Sequence, residues 1–270
     1  MLTNASTHGP HLRVCALYPD RMNIYADRGN LLLLQKRCEA RGIGFTLSAS
    51  GVGEQVDESA HDFFYIGGGQ DREQIEIAQD MIECKREGLQ AAADAGKVLL
   101  AVCGGYQLLG HSYELEDQMV PGLGLVDLKT VREPGPRLIG NVLIAVKTEQ
   151  GLRELAGFEN HGGRTYLGPN CEALGSVKCG FGNNGSDGLE GVRSRNTFGT
   201  YLHGPLLPKN AWFADYLTAL ALGTDGDLLE MSPLDDALED RAHAAAVAAA
   251  RAEAAAPTVF GKLARAWRRS

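Results

Sequence analysis

The stretch KVLLAVCGGYQLLG, residues 97–110, decides the fold. Its apolar run from Val98 to Val102 reads as a strand buried on both faces, and it stops at a cysteine followed by two glycines. A helical pattern begins at once in GYQLLGHSY. A strand can feed a helix over so few residues only if the flanking positions are small, and Ala101, Gly104 and Gly105 are small. The spacing small-x-Cys-x-small is that of a nucleophile elbow, with Cys103 at its tip. A helix N-terminus beneath Cys103 favours the thiolate, and the Gly104 N–H is available to a developing oxyanion. The other reading is a buried structural thiol, since free cysteine is among the most buried residue types. The elbow alone leaves both open.

Working outward, LRVCALYP predicts a strand and DRGNLLLLQKRCEARG a helix with Gly42 as its stop. GFTLSA predicts the next strand, and DFFYIGGG a buried strand that runs into glycine. DREQIEIAQDMIECKREGLQAAADAG predicts a long charged helix that closes at Gly96 and breaks near Gly88. Strands alternating with helices predict an α/β fold on a mostly parallel, doubly wound sheet. Between about 120 and 203 the chain is glycine-rich, with short strand-like pieces such as NVLIAVKT and FGTYLHG, which predict an antiparallel extension with long loops. After residue 222, DALEDRAHAAAVAAARAEAAA has high helix propensity and few large apolar anchors, then breaks at Pro257 and ends in the basic KLARAWRRS. The expected organisation is a loose tail over 1–10, one main domain over 11–222, and a peripheral helical extension over 223–270 that packs weakly or docks a partner.

The chain has 270 residues, enough for a sizeable core, with ordinary shares of hydrophobic (44%) and charged (22%) residues. A formal net charge of −8 argues against nucleic acid or an anionic membrane as the main partner. No apolar stretch reaches the roughly 20 residues of a membrane span, and the polar N-terminus carries no export signal. The six cysteines form no C-x-x-C pair, which argues against a zinc knuckle or a disulfide scaffold and for a reducing cytoplasm.

A cysteine nucleophile needs a base. Of seven histidines, His8, His11 and His243 fall in the expected tail and alanine-rich helix, His61 precedes a strand, and His111 lies past the elbow helix. His161 in ENHGGRTY and His203 in GTYLHGP sit in glycine-flanked loops, and His203 stands where a ring can project from the end of a sheet. Each could equally be an ordinary hydrogen-bonded loop histidine. Gly67, Gly68 and Gly69 form either a tight turn or a loop that offers backbone N–H groups to an anion. They form no P-loop, because no G-K-S/T follows.

The IGGG loop, the CGGYQLLG elbow and the late GTYLHGP histidine resemble, in order and separation, the class I glutamine amidotransferases of the cobyric-acid-synthase-like branch. NIYADRGN, FFYIGGGQDREQ, GFENHGGRTY, GNN and GTYLHGPLLPKN are similar to the glutaminase subunits of lipid II isoglutaminyl synthases, and the resemblance covers residues 11–222. It implies a flavodoxin-like sheet on which Cys103 attacks the side-chain amide of L-glutamine and His203 moves the protons. It implies an oxyanion hole from the N–H groups of Gly104 and Gly68, and substrate contacts from Gln107, Asn160, Gly162 and Gly163. Arg137 is the candidate carboxylate clamp, with the planar fork that task favours. Many class I members place a glutamate two residues after the histidine, where this chain has Pro205. Asp27 is the candidate replacement that would hold the imidazole tautomer; the alternative for Asp27 is a helix N-cap.

The resemblance further implies no metal or cofactor in this chain. Its partner would be a Mur-ligase-like, ATP-dependent subunit of the MurT type, holding ATP and Mg in a heterodimer. That subunit would use the ammonia to convert D-glutamate of lipid II to D-isoglutamine in peptidoglycan. The absence of a G-x-x-x-x-G-K-S/T signature here agrees with that division. The alternatives are a glutaminase for corrinoid amidation and a catalytically dead binding subunit.

Overall fold

The computed structural model describes residues 9–23, 27–115, 118–149, 151–224, 226 and 231–256. The expected N-terminal tail lies outside them over 1–8, as does the basic C-terminal end.

The strand–helix alternation builds a six-stranded sheet. It contains β1 (His11–Leu17), β2 (Gly44–Ser50), β3 (Phe63–Ile66) and β4 (Val98–Val102), followed much later by β13 (Val192–Ser194) and β14 (Thr197–Thr200). The order is β13-β14-β4-β3-β1-β2, with β13 antiparallel and the others parallel. The parallel strands thus run 2-1-3-4-14, the flavodoxin-type order, whose ligand site lies beyond the carboxyl ends of the strands where the order reverses. Central position explains composition: β3 and β4 are buried at every residue, so FFYI and VLLAV carry no polar face. Register fixes what meets at the edge. Leu17 pairs with Ile66, Ile66 with Ala101, and Val102 with Thr200, so the segments after β1, β3, β4 and β14 emerge side by side.

Helix α1 (Arg28–Ala40) follows β1, and Gly42 (φ +69°) ends its turn as expected. The long charged helix is α2 (Asp71–Asp80) and α3 (Arg86–Asp94), joined by a π-helical turn at Met81–Lys85. The irregularity therefore precedes Gly88, which lies inside α3. Glycine is needed there because a Cβ would sit 2.2 Å from the Val56 carbonyl oxygen. Helix α4 spans only Gly104–Leu109, and HSY of the expected helix instead begins β5 (Ser112–Leu115). Helix α5 (Ala211–Ala221) packs on α1, where Arg37 and Arg41 both hold Asp215 and Arg37 also reaches Asp236.

The antiparallel part gathers mostly into two small sheets of its own. In one, β10 (Gly163–Leu167), β7 (Leu128–Arg132), β5 and β6 (Gln118–Pro121) lie side by side. The other aligns β12 (Leu189–Glu190), β11 (Gly175–Cys179), β8 (Leu138–Thr148) and β9 (Gly151–His161). Only β13 joins the main sheet. The alanine-rich helix α6 (Ala237–Ala255) lies on the β8–β9 ribbon, with Val247 and Ala250 buried against Leu143 and Ala156. Arg251 pairs with Glu154, and the Asn141 side chain donates to Glu253. Small side chains let this helix approach closely, so few large anchors suffice. No helix among the described residues is long and apolar enough to cross a membrane.

Candidate active site

Cys103 sits at the end of β4 with φ +49° and ψ −105°, a conformation L-residues rarely adopt. The strain is held by the fold: its N–H donates to the Thr200 carbonyl at 2.8 Å, and its own carbonyl accepts from the Gln107 N–H at 3.0 Å. Gly104 is required by space as well as by the turn. A Cβ there would lie 2.7 Å from Gln74 Nε2 and 3.1 Å from the Gly69 nitrogen. The backbone of the IGGG loop thus packs directly against the elbow.

His203 leaves the end of β14, and its backbone exchanges hydrogen bonds with Phe158 of β9 (2.8 and 3.2 Å). Its ring is fully buried, with Nδ1 3.7 Å from Asp27 Oδ1, and it lies within electrostatic reach of the Cys103 side chain. Burial alone would favour the neutral ring. Interaction with Cys103, then with Asp27, overcomes that and raises His203 to about 10. A strained thiol, an imidazole beside it and a carboxylate behind are the arrangement that a nucleophile, a base and an orienting acid require.

Asp27 stands at the N-cap position of α1 yet makes no capping bond through its side chain. Its Oδ2 instead accepts the Gly68 N–H at 2.8 Å. Its backbone carbonyl accepts from the Tyr65 hydroxyl at 3.2 Å, which in turn accepts from Asn30. Pro205 packs on Gly29, two residues from Asp27, so the position two residues after His203 supports the helix that carries the acid.

These contacts correct one expectation. The Gly68 N–H is taken by Asp27 and is not turned toward Cys103. Gly69 shares a cavity wall with Cys103, and its nitrogen is the one that lies against Gly104. Of the loop glycines it is thus Gly69, not Gly68, whose nitrogen borders the elbow.

A model of the CobB/CobQ-like glutamine amidotransferase domain matches residues 13–211. The chain belongs to that family. It is 38% identical over 224 residues to the lipid II isoglutaminyl synthase (glutamine-hydrolyzing) subunit GatD of Staphylococcus aureus, across 83% of this chain and 89% of that one. To the GatD of Streptococcus pneumoniae it is 39% identical over 212 residues, 78% and 80% of the two chains. The solved PurLQS structure from Thermotoga maritima superposes with a TM-score of 0.51 over 80% of this chain and 93% of its own, at 20% identity, a likeness of fold.

In this amidotransferase the cavity in front of Cys103 measures about 310 Å³ and carries Gly69, Gln74, Gln107, Arg137, Asn160, His161 and Gly162 on its wall. The volume suits a small polar ligand. Arg137 donates through Nε to the Asn160 side chain at 2.8 Å and through Nη2 to the Asn160 carbonyl at 2.9 Å, which ties its guanidinium to the cavity wall. Gln107 is buried and donates to the Tyr201 hydroxyl at 3.2 Å. Gly163 does not reach the cavity. It opens β10, its carbonyl accepts from the His161 ring at 2.9 Å, and a Cβ there would strike Thr130 and Gln107. His161 is on the wall but stacks face to face on Tyr201 (3.5 Å between centroids, 4° between planes). No group of three or more His, Cys, Asp or Glu side chains is placed to hold a metal ion among the described residues.

Sequence reasoning named Gly69 only as one of three loop glycines and missed Gln74, Tyr201 and the buried Glu190. Glu190 accepts from the Tyr201 N–H at 2.7 Å and is pushed up to about 8 by burial. For Gln74 a signal existed: a glutamine one turn into the helix after a glycine loop faces back onto that loop.

Proposed function

We propose that this chain is the glutamine-hydrolysing subunit of a lipid II isoglutaminyl synthase, acting in the cytoplasm beside an ATP-dependent, Mur-ligase-like subunit that consumes its ammonia. One observation carries the reading. The chain aligns with 80–89% of the length of the GatD subunits, and the span matched by the family model, residues 13–211, contains Asp27, Cys103 and His203 together.

In this reading the Cys103 sulfur attacks the δ-carbon of glutamine, and the carbonyl oxygen becomes an oxyanion received by the N–H groups of Gly104 and Gly69. His203 holds the thiol proton and delivers it to the amide nitrogen. The C–N bond breaks, ammonia leaves, and a γ-glutamyl thioester remains. His203 then takes a proton from water as the water attacks the thioester, and glutamate and the free thiol are restored. Asp27 keeps Nδ1 protonated so that the other ring nitrogen stays available to sulfur. Arg137 pairs with the substrate α-carboxylate, and Asn160 and Gly162 contact its α-substituents. Gln107 supports the wall through Tyr201. ATP and Mg act on the other subunit.

The test is co-purification followed by a change of nitrogen donor. A Mur-ligase-like protein is expected to co-purify, and the complex to amidate lipid II with glutamine and ATP. The isolated chain is expected to hydrolyse glutamine slowly. Cys103→Ala should lose glutamine as donor and keep ammonium. If no ligase co-purifies, or if the variant complex fails with ammonium too, the division of labour is wrong.

A further inference from the structure

Gln74 takes no part in the steps above, yet it lies on the cavity wall with Cys103 and is 2% exposed. Its Nε2 donates to the Gly69 carbonyl at 3.2 Å. That bond fixes the orientation of the side-chain amide, because reversing it would set two oxygens against each other. The remaining atom, Oε1, is buried and has no hydrogen-bond partner among the described residues. A buried carbonyl oxygen without a donor is costly, and folded proteins rarely leave one.

Its position says what donor it awaits. A Cβ at Gly104 would lie 2.7 Å from Gln74 Nε2, 2.9 Å from its Cδ and 3.1 Å from the Gly69 nitrogen. The Gln74 amide therefore lies beside Gly104 and the Gly69 nitrogen, the two residues that this reading assigns to the oxyanion. An oxyanion cannot satisfy Oε1, since both are acceptors, and neither the thioester nor the thiolate carries a hydrogen to donate. A primary carboxamide does. With its oxygen between Gly104 and Gly69, the amide hydrogen cis to that oxygen points to the same side of the group.

Resting on the glutamine-hydrolysing reading, we propose that Gln74 Oε1 accepts an N–H of the substrate carboxamide and holds the nitrogen as it departs, so that Gln74 selects for an amide leaving group. As His203 passes its proton to that nitrogen, ahead of C–N cleavage, the nitrogen gains positive character and its N–H becomes a stronger donor; the C–N electron pair then moves onto it and neutral ammonia leaves. The contact is thus tighter in the transition state than in the bound substrate, which is the condition for it to raise the rate. An ester at the same carbon offers no hydrogen to Oε1.

The experiment compares L-glutamine with L-glutamate γ-methyl ester as substrates of the full chain with its ATP-dependent partner. Gln74→Met keeps length and volume while removing the acceptor. Its kcat/KM for glutamine is expected to fall roughly ten- to hundredfold, while that for the ester stays within about threefold of wild type. Equal losses on both substrates would make Gln74 a support of the Gly69 loop only and overturn the proposal, as would an unchanged rate with glutamine. Alkylation of Cys103 by a glutamine-like chloroketone, which has no amide hydrogen, reports whether the site is intact. If Gln74→Met does not alkylate, Gln74→Glu decides: it keeps the acceptor and loses the donor to Gly69, so its glutamine-to-ester preference should match wild type. Collapse of that preference overturns the assignment. A wild-type complex that hydrolyses neither substrate refutes the glutaminase reading itself.

Discussion

Asp27→Asn separates the orienting role of this residue from every structural one. The substitution keeps shape, and the Asn oxygen can still accept the Gly68 N–H now bound at 2.8 Å. No capping bond is lost, because the Asp27 side chain makes none. The stability cost is the difference between a charged and a neutral acceptor, about 1 kcal/mol. For a chain of this size that corresponds to a fall in Tm of roughly 2–4 °C. The rate responds differently. The other side-chain atom, now 3.7 Å from His203 Nδ1, becomes an NH2 group that donates, so Nδ1 must present its lone pair. The ring proton then sits on the nitrogen facing Cys103, which can no longer take the thiol proton. Loss of a correctly oriented base costs about 10²- to 10⁴-fold in rate. At 3.7 Å the Asp27–His203 contact is longer than a good hydrogen bond, which sets the expectation near the lower end, about 10²-fold. Glutamate release measured against glutamine concentration, beside a thermal melt, reads both quantities. A variant with a kcat within about twofold of wild type and a clearly lower Tm would refute the reasoning and leave Asp27 as a brace for the glycine loop.

A glutamine-like electrophile should label Cys103 and spare the other cysteines, because burial pushes Cys15 up to about 11 and Cys38 up to about 12 and also raises Cys84 and Cys171. Peptide mapping that finds the label on Cys38 or Cys84 would remove Cys103 as nucleophile. Glu190→Gln should change the pH dependence of stability. Burial raises this carboxyl from its ordinary 4.5 to about 8, so the folded chain binds the proton more tightly than the unfolded one. The group's contribution is therefore full below pH 4.5 and is lost as pH rises through 8. The Gln variant keeps an acceptor for the Tyr201 N–H and should gain Tm relative to wild type at pH 9 compared with pH 5. A difference that does not vary with pH would mean that Glu190 does not titrate there.

The amino-acid sequence by itself determined the elbow, the strand–helix alternation of the first half and the identity of the nucleophile and base candidates. Those features are local: the small residues around Cys103, the apolar runs of β3 and β4, and the glycines that follow them act within a few residues of themselves. Tertiary structure decided what depends on partners distant in the chain. Asp27 could be a cap or an orienting acid until the fold set its carboxylate between the Gly68 N–H and the His203 ring. The same bond engages the Gly68 N–H and leaves the Gly69 nitrogen beside the elbow, a choice among three identical residues that no pattern can make. The glycine-rich region gave short strands but no pairing, since pairing is fixed by side chains on other strands; hence two separate small sheets rather than one extension. The alanine-rich helix lacked an amphipathic stripe because close approach, rather than large anchors, joins it to β8 and β9. Register made the site: strands aligned so that Leu17, Ile66, Val102 and Thr200 end together bring four distant loops to one edge of the sheet, and only there do thiol, imidazole and carboxylate meet.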